Sequence, residues 1–288
     1  MCAMSKSKVM LIDVAICNGC MSCVVACKDE HVENDWSPYA KPQPEYGQFW
    51  IRVEGEDRGK VPKVRRTYTP IMCMHCENAP CMAACPTTAI YRRDDGAVII
   101  DPAKCDGCRG VGTDPLCMGA CPYGVIYFNE ELKIAQKCTW CAHLLDNGWK
   151  EPRCADACPT EAIKFGDEDD PEIQELLKKA EPLHPEYGTR PKVLYLNLPR
   201  PFIAGDVLDP EGREAVVGAE VTATDLVTGD VRSTITDDLG SFWLKDLERG
   251  HRYLVKVKAE GYGEKIVGVY STEKDVNVGE VRLSSKQR

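Results

Sequence analysis

Cysteine is the residue whose number and spacing point most directly to chemistry in this chain of 288 residues. Sixteen of the seventeen cysteines form four runs: Cys17, Cys20, Cys23 and Cys27; Cys73, Cys76, Cys81 and Cys85; Cys105, Cys108, Cys117 and Cys121; Cys138, Cys141, Cys154 and Cys158. The first run reads C-x2-C-x2-C-x3-C, in which three closely spaced thiolates hold one iron–sulfur cubane and the fourth reaches a neighbouring cluster. Sixteen ligands predict four 4Fe–4S clusters, so the chain is expected to transfer electrons.

Two other uses of cysteine fit this pattern less well. A disulfide framework is typical of small secreted domains, whereas this chain is long and its cysteines cluster in C-x2-C pairs. Zinc ribbons also use C-x2-C pairs, but the third closely spaced cysteine of the first two runs would then have no role. Cys2 belongs to no run and is expected to be a free thiol.

The remaining composition argues for a partner that does the chemistry. A formal net charge of −9 disfavours nucleic-acid binding, which needs a basic face. The sequence has no phosphate-binding loop, no G-x-G-x-x-G and no G-x-S-x-G, so no catalytic residues are predicted. No apolar stretch approaches the roughly 20 residues that cross a bilayer. We expect a cytoplasmic chain that would reach the periplasm only by export with a signal-bearing partner.

Short strands are predicted next to the cysteine runs. Residues 8–14 form an apolar segment before the first run. The motifs CPTTAI and CPTEAI echo each other, and each leads into a short apolar segment, at 89–91 and 162–165. This repetition indicates a duplicated bacterial-ferredoxin-like unit and pseudo-symmetric pairs of clusters. His75 and His143, beside the second and fourth runs, are expected to be structural or to donate hydrogen bonds to sulfur.

A long insertion, residues 28–72, separates the first two runs. Its segments 48–53 and 61–68 alternate in the way typical of a β-ribbon, and Gly55 and Gly59 are expected at the turn between them. The ferredoxin-like domain, including this insertion, is predicted to span residues 1–165.

The composition changes after the last cysteine. Residues 166–201 are rich in proline and predict a linker with one short helix, for which Asp170 is a good N-cap and Pro171 a good first residue. Residues 202–288 predict an all-β sandwich of seven strands, of immunoglobulin or transthyretin type. Its candidate strands are 202–208, 219–225, 231–236, 241–247, 252–259, 265–270 and 275–283. The expected fold class is therefore α+β.

The order of the runs resembles the iron–sulfur subunit of the dimethyl sulfoxide reductase family of molybdopterin oxidoreductases. The resemblance covers residues 8–165 and is carried by CMHCENAPC at 73–81, CPYGVIYFNEE at 121–131 and QKCTWCAHLLDNG at 136–148. It implies a subunit that passes electrons between an external redox partner and a molybdenum or tungsten bis-pterin site. That pterin cofactor would lie in a large catalytic subunit and not in this chain.

The resemblance also implies how the runs share the clusters, because in that family they pair in a nested way. This pairing implies four ligand sets, which we number 1 to 4. Set 1 is Cys17, Cys20, Cys23 and Cys158; set 2 is Cys138, Cys141, Cys154 and Cys27; set 3 is Cys73, Cys76, Cys81 and Cys121; set 4 is Cys105, Cys108, Cys117 and Cys85.

The predicted sandwich narrows the resemblance to the small subunit of pyrogallol–phloroglucinol transhydroxylase and related phenol hydroxylases and dehydroxylases. In that small subunit, as the resemblance implies, the third run is incomplete, whereas here it is complete. A transhydroxylation has no net electron demand, so the complete run favours a net hydroxylase or dehydroxylase. The alternatives are the electron-transfer subunit of a respiratory sulfur-compound, sulfoxide or arsenate reductase, and a free-standing polyferredoxin.

Overall fold

The computed structural model of the protein describes residues 7–285, which form two compact units. Among the described residues, unit 1 comprises 7–55 and 67–198, and unit 2 comprises 56–66 and 199–285. Within the described range, no helix combines the length and the apolar character needed to cross a bilayer.

Unit 1 is built from short elements that alternate with the cysteine runs. Its strands are β1 (Lys8–Asp13), β2 (Ile51–Lys60), β3 (Lys63–Met72), β4 (Ile90–Arg92), β5 (Val98–Ile100), β6 (Tyr127–Asn129), β7 (Ile134–Gln136), β8 (Ile163–Asp167) and β9 (Val193–Leu196), of which β2 and β3 extend into unit 2. Its helices are α1 (Ser22–His31), α2 (Pro80–Ala83), α3 (Leu116–Ala120), α4 (Ala142–Asp146), α5 (Arg153–Asp156) and α6 (Pro171–Leu177), with 3₁₀ turns at Arg109–Val111 and Pro185–Tyr187. The predicted strands at 8–14, 89–91 and 162–165 correspond to β1, β4 and β8.

Strand β1 is the centre of a three-stranded sheet in the order β8-β1-β9. It pairs antiparallel with β8, so that Met10 lies opposite Phe165, and parallel with β9, so that Met10 lies opposite Val193. All four residues from Val9 to Ile12 are buried. A strand covered on both faces needs a continuous apolar run, as this one has.

The predicted linker is partly wrong. Helix α6 forms as expected, and the Asp170 carboxylate caps it by accepting a hydrogen bond from the Glu172 N–H at 2.8 Å. Beyond it, however, the chain adds β9 to the sheet of unit 1, and the buried Tyr195 hydroxyl donates to the Pro70 carbonyl at 2.8 Å. The prolines of this segment flank β9 and do not interrupt it, so the strand keeps its ladder hydrogen bonds.

The predicted ribbon in the insertion exists as β2 and β3, but the expected position of its turn is wrong. The strands meet at Val61 and Pro62, and both Gly55 and Gly59 lie inside β2. Gly59 has a φ of +88°, and a β-carbon there would lie 2.3 Å from the Lys63 carbonyl oxygen. Glycine is therefore required at residue 59 for close approach of the two strands and not for the turn itself.

Unit 2 contains seven strands: β10 (Ile203–Leu208), β11 (Glu220–Asp225), β12 (Val231–Ile235), β13 (Ser241–Leu244), β14 (Arg252–Lys258), β15 (Lys265–Ser271) and β16 (Val276–Arg282). They form one sheet in the order β13-β10-β16 and another in the order β12-β11-β14-β15. In β14 the buried Tyr253, Val255 and Val257 alternate with more exposed residues, which is the pattern of a strand with one face in a core. The seven strands correspond to the seven predicted segments.

Two ion pairs, each with a buried cationic side chain, join the tip of the β2–β3 ribbon to the rest of unit 2. The Lys63 ammonium donates to the Asp206 carboxylate at 2.5 Å, and the Arg58 guanidinium donates to the Asp275 carboxylate at 2.7 Å. Removing one partner of such a pair would leave an uncompensated buried charge, at a cost of about 3–5 kcal/mol.

Candidate metal centres

The structure gathers the cysteines of the four runs into groups that draw on more than one run. In set 1, the thiols of Cys17, Cys158 and Cys20 lie close enough to Cys23 to act on it electrostatically. Burial and these neighbours together raise the Cys23 pKa to about 12. Cys158 therefore lies near the first run, although it is the last cysteine in the sequence. Cys2 lies outside the described residues.

Set 2 lies in the interior of unit 1. Burial raises the pKa of Cys154 well above its ordinary value, and the thiols beside it raise it further. Those thiols are Cys141, Cys138 and Cys27 of the same set, followed by Cys23 of set 1.

Sets 3 and 4 each surround a cavity. One cavity is lined by all four members of set 3, Cys73, Cys76, Cys81 and Cys121. The other is lined by all four members of set 4, Cys85, Cys105, Cys108 and Cys117. In the part of the chain that the structure describes, no three His, Cys, Asp or Glu side chains converge closely enough to hold a single metal ion. Each of these two sets thus lines a space instead of meeting at one point.

The second residue of the first C-x2-C spacer in each run has the same unusual backbone conformation. Gly19, His75, Gly107 and Trp140 have φ values of 72°, 44°, 65° and 55°. Positive φ is favoured by glycine, so the histidine and tryptophan are held in it by their surroundings. The His75 and Trp140 rings stack with centroids 4.1 Å apart. Such turns direct successive backbone N–H groups towards a bound anion, as in many iron–sulfur sites.

Backbone N–H groups point at several of the sulfurs. The Trp140 N–H donates to Cys138 Sγ at 3.4 Å, and the Ala135 N–H donates to Cys105 Sγ at 3.4 Å. Hydrogen bonds of this kind stabilise thiolates and raise the reduction potential of the cluster that they hold.

The CPTTAI and CPTEAI motifs fold in the same way around Cys85 and Cys158. Cys85 Sγ lies 3.6 Å from Thr87 Oγ1, and Cys158 Sγ lies 3.7 Å from Thr160 Oγ1. Burial raises the pKa of both thiols, but the threonine hydroxyls and three backbone N–H groups at each site lower it below the ordinary value. The repeated motif therefore marks two sites where a thiolate is favoured.

Most other cysteines are held as neutral thiols unless a cation joins them. Burial raises the pKa of Cys138 and Cys141 to about 12, and that of Cys27 well above its ordinary value. Only thiolates bind iron, so cluster binding must expel protons from this interior and supply the compensating charge.

Buried donors without partners support the fit of a sulfur-rich group. His75 Nε2, Thr139 Oγ1 and Trp140 Nε1 are buried and lack a hydrogen-bond partner among residues 7–285. All three belong to C-x2-C spacers of the second and fourth runs. A buried polar group without a partner is costly, and a bound 4Fe–4S cluster would offer sulfur acceptors. The residues present therefore fit such a cluster.

One histidine that the motifs do not indicate, His31, lies beside a cysteine sulfur. His31 Nε2 lies 3.8 Å from Cys141 Sγ, and burial lowers the His31 pKa to about 3. The signal in the sequence is its position four residues after Cys27 in α1, which places both side chains on one helix face. Neither His75 nor His143 forms such a contact within the described residues. His75 Nδ1 accepts from the Val98 N–H at 2.9 Å, and His143 Nε2 pairs with Glu30 at 2.9 Å.

Protein-family models match both units. Two models of a 4Fe-4S dicluster domain match residues 16–89 and 64–168, and a model of a carboxypeptidase regulatory-like domain matches residues 203–284. The expectation of ferredoxin-like units followed by a β-sandwich domain is thereby confirmed.

Several curated proteins are similar to this chain. The pyrogallol hydroxytransferase small subunit of Pelobacter acidigallici is 38% identical, with 95% of this chain and 98% of that protein covered. The arsenate respiratory reductase iron–sulfur subunit of a Shewanella species is 33% identical over 65% of this chain and 94% of its own length. The thiosulfate reductase electron transfer subunit of Salmonella typhi is 35% identical over 62% of this chain and 85% of its own length.

Proposed function

The chain belongs to the iron–sulfur electron-transfer subunits of the molybdopterin oxidoreductases, and we propose that it holds four 4Fe–4S clusters in sets 1 to 4. Each set combines cysteines of two runs, as the nested pairing implies. The proposal is supported by the proximity of the thiols within sets 1 and 2 and by the cavities that sets 3 and 4 line. When bound, each cluster supplies a centre that takes up and releases one electron.

We propose that the four sets form one unbranched series in the order 1, 2, 3, 4. Support comes from cysteines of different sets that lie close enough to interact electrostatically. These pairs are Cys23 with Cys154, Cys73 with Cys138, and Cys81 with Cys117. Set 2 would then be the only connection between set 1 and sets 3 and 4.

The catalytic partner is proposed to be a large subunit that carries molybdenum or tungsten bis-pterin and acts on phenolic compounds. The observation that carries this proposal is the relative from Pelobacter acidigallici, whose similarity extends over 95% of the chain, sandwich included. The two reductase subunits above match 65% and 62% of the chain. Because the third run is complete, net hydroxylation or dehydroxylation is favoured over transhydroxylation.

The respiratory reductase subunit is the second candidate, since the relatives from Shewanella and Salmonella align with most of their own length. For unit 2 we propose a sandwich of immunoglobulin or transthyretin type, supported by its sheets of three and four strands. Its role is proposed to be structural, because a fold of this kind does not by itself indicate a function.

Anaerobic purification of the chain from its native cells, together with the large subunit that we expect to bind it, tests the proposed function. We expect a brown complex containing a pterin.

Removing one hydroxyl group from a polyhydroxybenzene as water consumes two electrons and two protons, so this substrate should reoxidise the reduced complex. For a hydroxylase, the less hydroxylated phenol and water should reduce the oxidised complex instead. Oxidation by arsenate or thiosulfate alone would favour the second candidate. Isolation without any pterin-bearing partner would contradict both.

A further inference from the structure

Lys137 is a buried cation without a carboxylate partner. It directly precedes the first cysteine of the fourth run, and only 2% of its surface is exposed. Its ammonium group donates to the Val98 carbonyl and, at 3.0 Å, to the Cys138 carbonyl. Both acceptors are neutral, and no carboxylate within the described residues pairs with Lys137. An ammonium group buried in this way is strongly destabilised unless a negative charge lies nearby.

The other buried lysines of the described chain have such a charge. Lys63 pairs with Asp206 at 2.5 Å, and Lys192 pairs with Glu168 at 2.8 Å. Lys137 therefore differs from them, because the groups beside it that could carry a negative charge are cysteines. Its ammonium group lies close enough to Cys138 of set 2 and to Cys81 of set 3 to act on both electrostatically.

The position of Lys137 is where sets 2 and 3 adjoin. Its sequence neighbour Cys138 lies close enough to Cys73, a member of set 3, for the two thiols to interact electrostatically. Its hydrogen-bond partner Val98 lines the cavity that set 3 surrounds. The ammonium group thus contacts structure belonging to both sets.

We propose that Lys137 is the counter-charge of the clusters held by sets 2 and 3 and makes both of them easier to reduce. Reduction adds one negative charge to a cluster, and a cation held nearby in a low-dielectric interior stabilises that charge. The inference rests on the proposed function, because it requires clusters in these two sets.

The test is an EPR-monitored redox titration of the co-purified complex with substitutions at residue 137. Lys137→Met and Lys137→Gln remove the charge, and Gln can still donate to one of the two carbonyls. At a fixed potential we expect the ratio of reduced to oxidised cluster to fall about tenfold for two clusters, a shift of 59 mV for a one-electron couple. Lys137→Arg should keep the ratio within about twofold, because it keeps the charge.

Lys104→Met is the matched control. Lys104 also directly precedes the first cysteine of its run, but its side chain is exposed and pairs with Asp101 at 3.3 Å. We expect no shift from this change, because solvent screens an exposed charge.

The outcomes separate a charge effect from a structural one. Full iron content with unchanged potentials in both neutral variants would overturn the proposal. If the neutral variants lose iron and Lys137→Arg retains it, the proposal is supported, because the positive charge is then required for binding of the two clusters. Loss of iron from all three variants would overturn it, since the shape of lysine would then be what matters. A wild-type complex without clusters would instead contradict the proposed function itself.

Discussion

Replacing Cys154 with alanine is expected to remove at least one cluster, about four of about sixteen iron atoms, and to separate set 1 from sets 3 and 4. Cys154 is buried, and the thiols that act on it most strongly are the other three members of set 2. Alanine offers no ligand, and the three remaining thiols are too buried to stay charged without iron. Iron and sulfide analysis measures the loss, and reduction of the partner's active site by an external donor should fall to background.

Cys2→Ala is the control, because Cys2 is the one cysteine outside the four runs. This change should leave both iron content and electron transfer at the wild-type level. An unchanged iron content in Cys154→Ala would contradict the assignment of set 2. Loss of iron from Cys2→Ala would show that the four runs are not the whole ligand set.

Removing the iron from the intact chain is expected to unfold unit 1 and leave unit 2 folded. Six cysteines belong to the main core of unit 1: Cys23, Cys27, Cys73, Cys76, Cys138 and Cys154. Without iron they would line empty space, and metal binding in small metal-dependent domains contributes about 10 kcal/mol or more to folding. A domain has a net stability of only about 5–15 kcal/mol. The free energy lost with the metal is therefore as large as the whole stability of a typical domain.

Hydrogen-exchange mass spectrometry before and after chelation under oxidising conditions measures this difference. Amides of β1 and β8 should lose their protection, whereas those of β11 and β14 should keep it. The core of unit 2 contains no cysteine and is formed by residues such as Phe242, Val255 and Val257. A mock-treated sample that keeps its iron is the control. Continued protection of β1 after complete iron removal would show that unit 1 does not depend on its clusters.

Local patterns in the sequence were sufficient to predict those helices and strands whose sequence signals lie inside the element or directly beside it. The echo CPTTAI and CPTEAI predicts β4 and β8, and the alternation in β14 predicts its buried face. Asp170 and Pro171 mark the start of α6 because a cap and a first-turn proline act locally.

Pairings between distant segments could not be predicted in this way. Nothing near Val193 indicates that β9 joins β1, because that contact depends on residues about 180 positions earlier in the chain. The glycines of β2 suggested a turn, since the sequence does not reveal whether Gly59 is needed for its φ in a turn or for close approach of β3. The roles of His31 and Lys137 likewise depend on the sulfurs and carbonyls that the fold brings beside them.

The most direct test of a four-centre electron carrier is to quantify iron, sulfide and EPR spins in the anaerobically isolated complex after full reduction. The contribution of the large subunit, prepared alone, is subtracted. We predict about sixteen iron atoms and four one-electron centres on this chain. A colourless chain that holds zinc, or one with fewer than four reducible centres, would contradict the assignment of sixteen cysteines to four clusters.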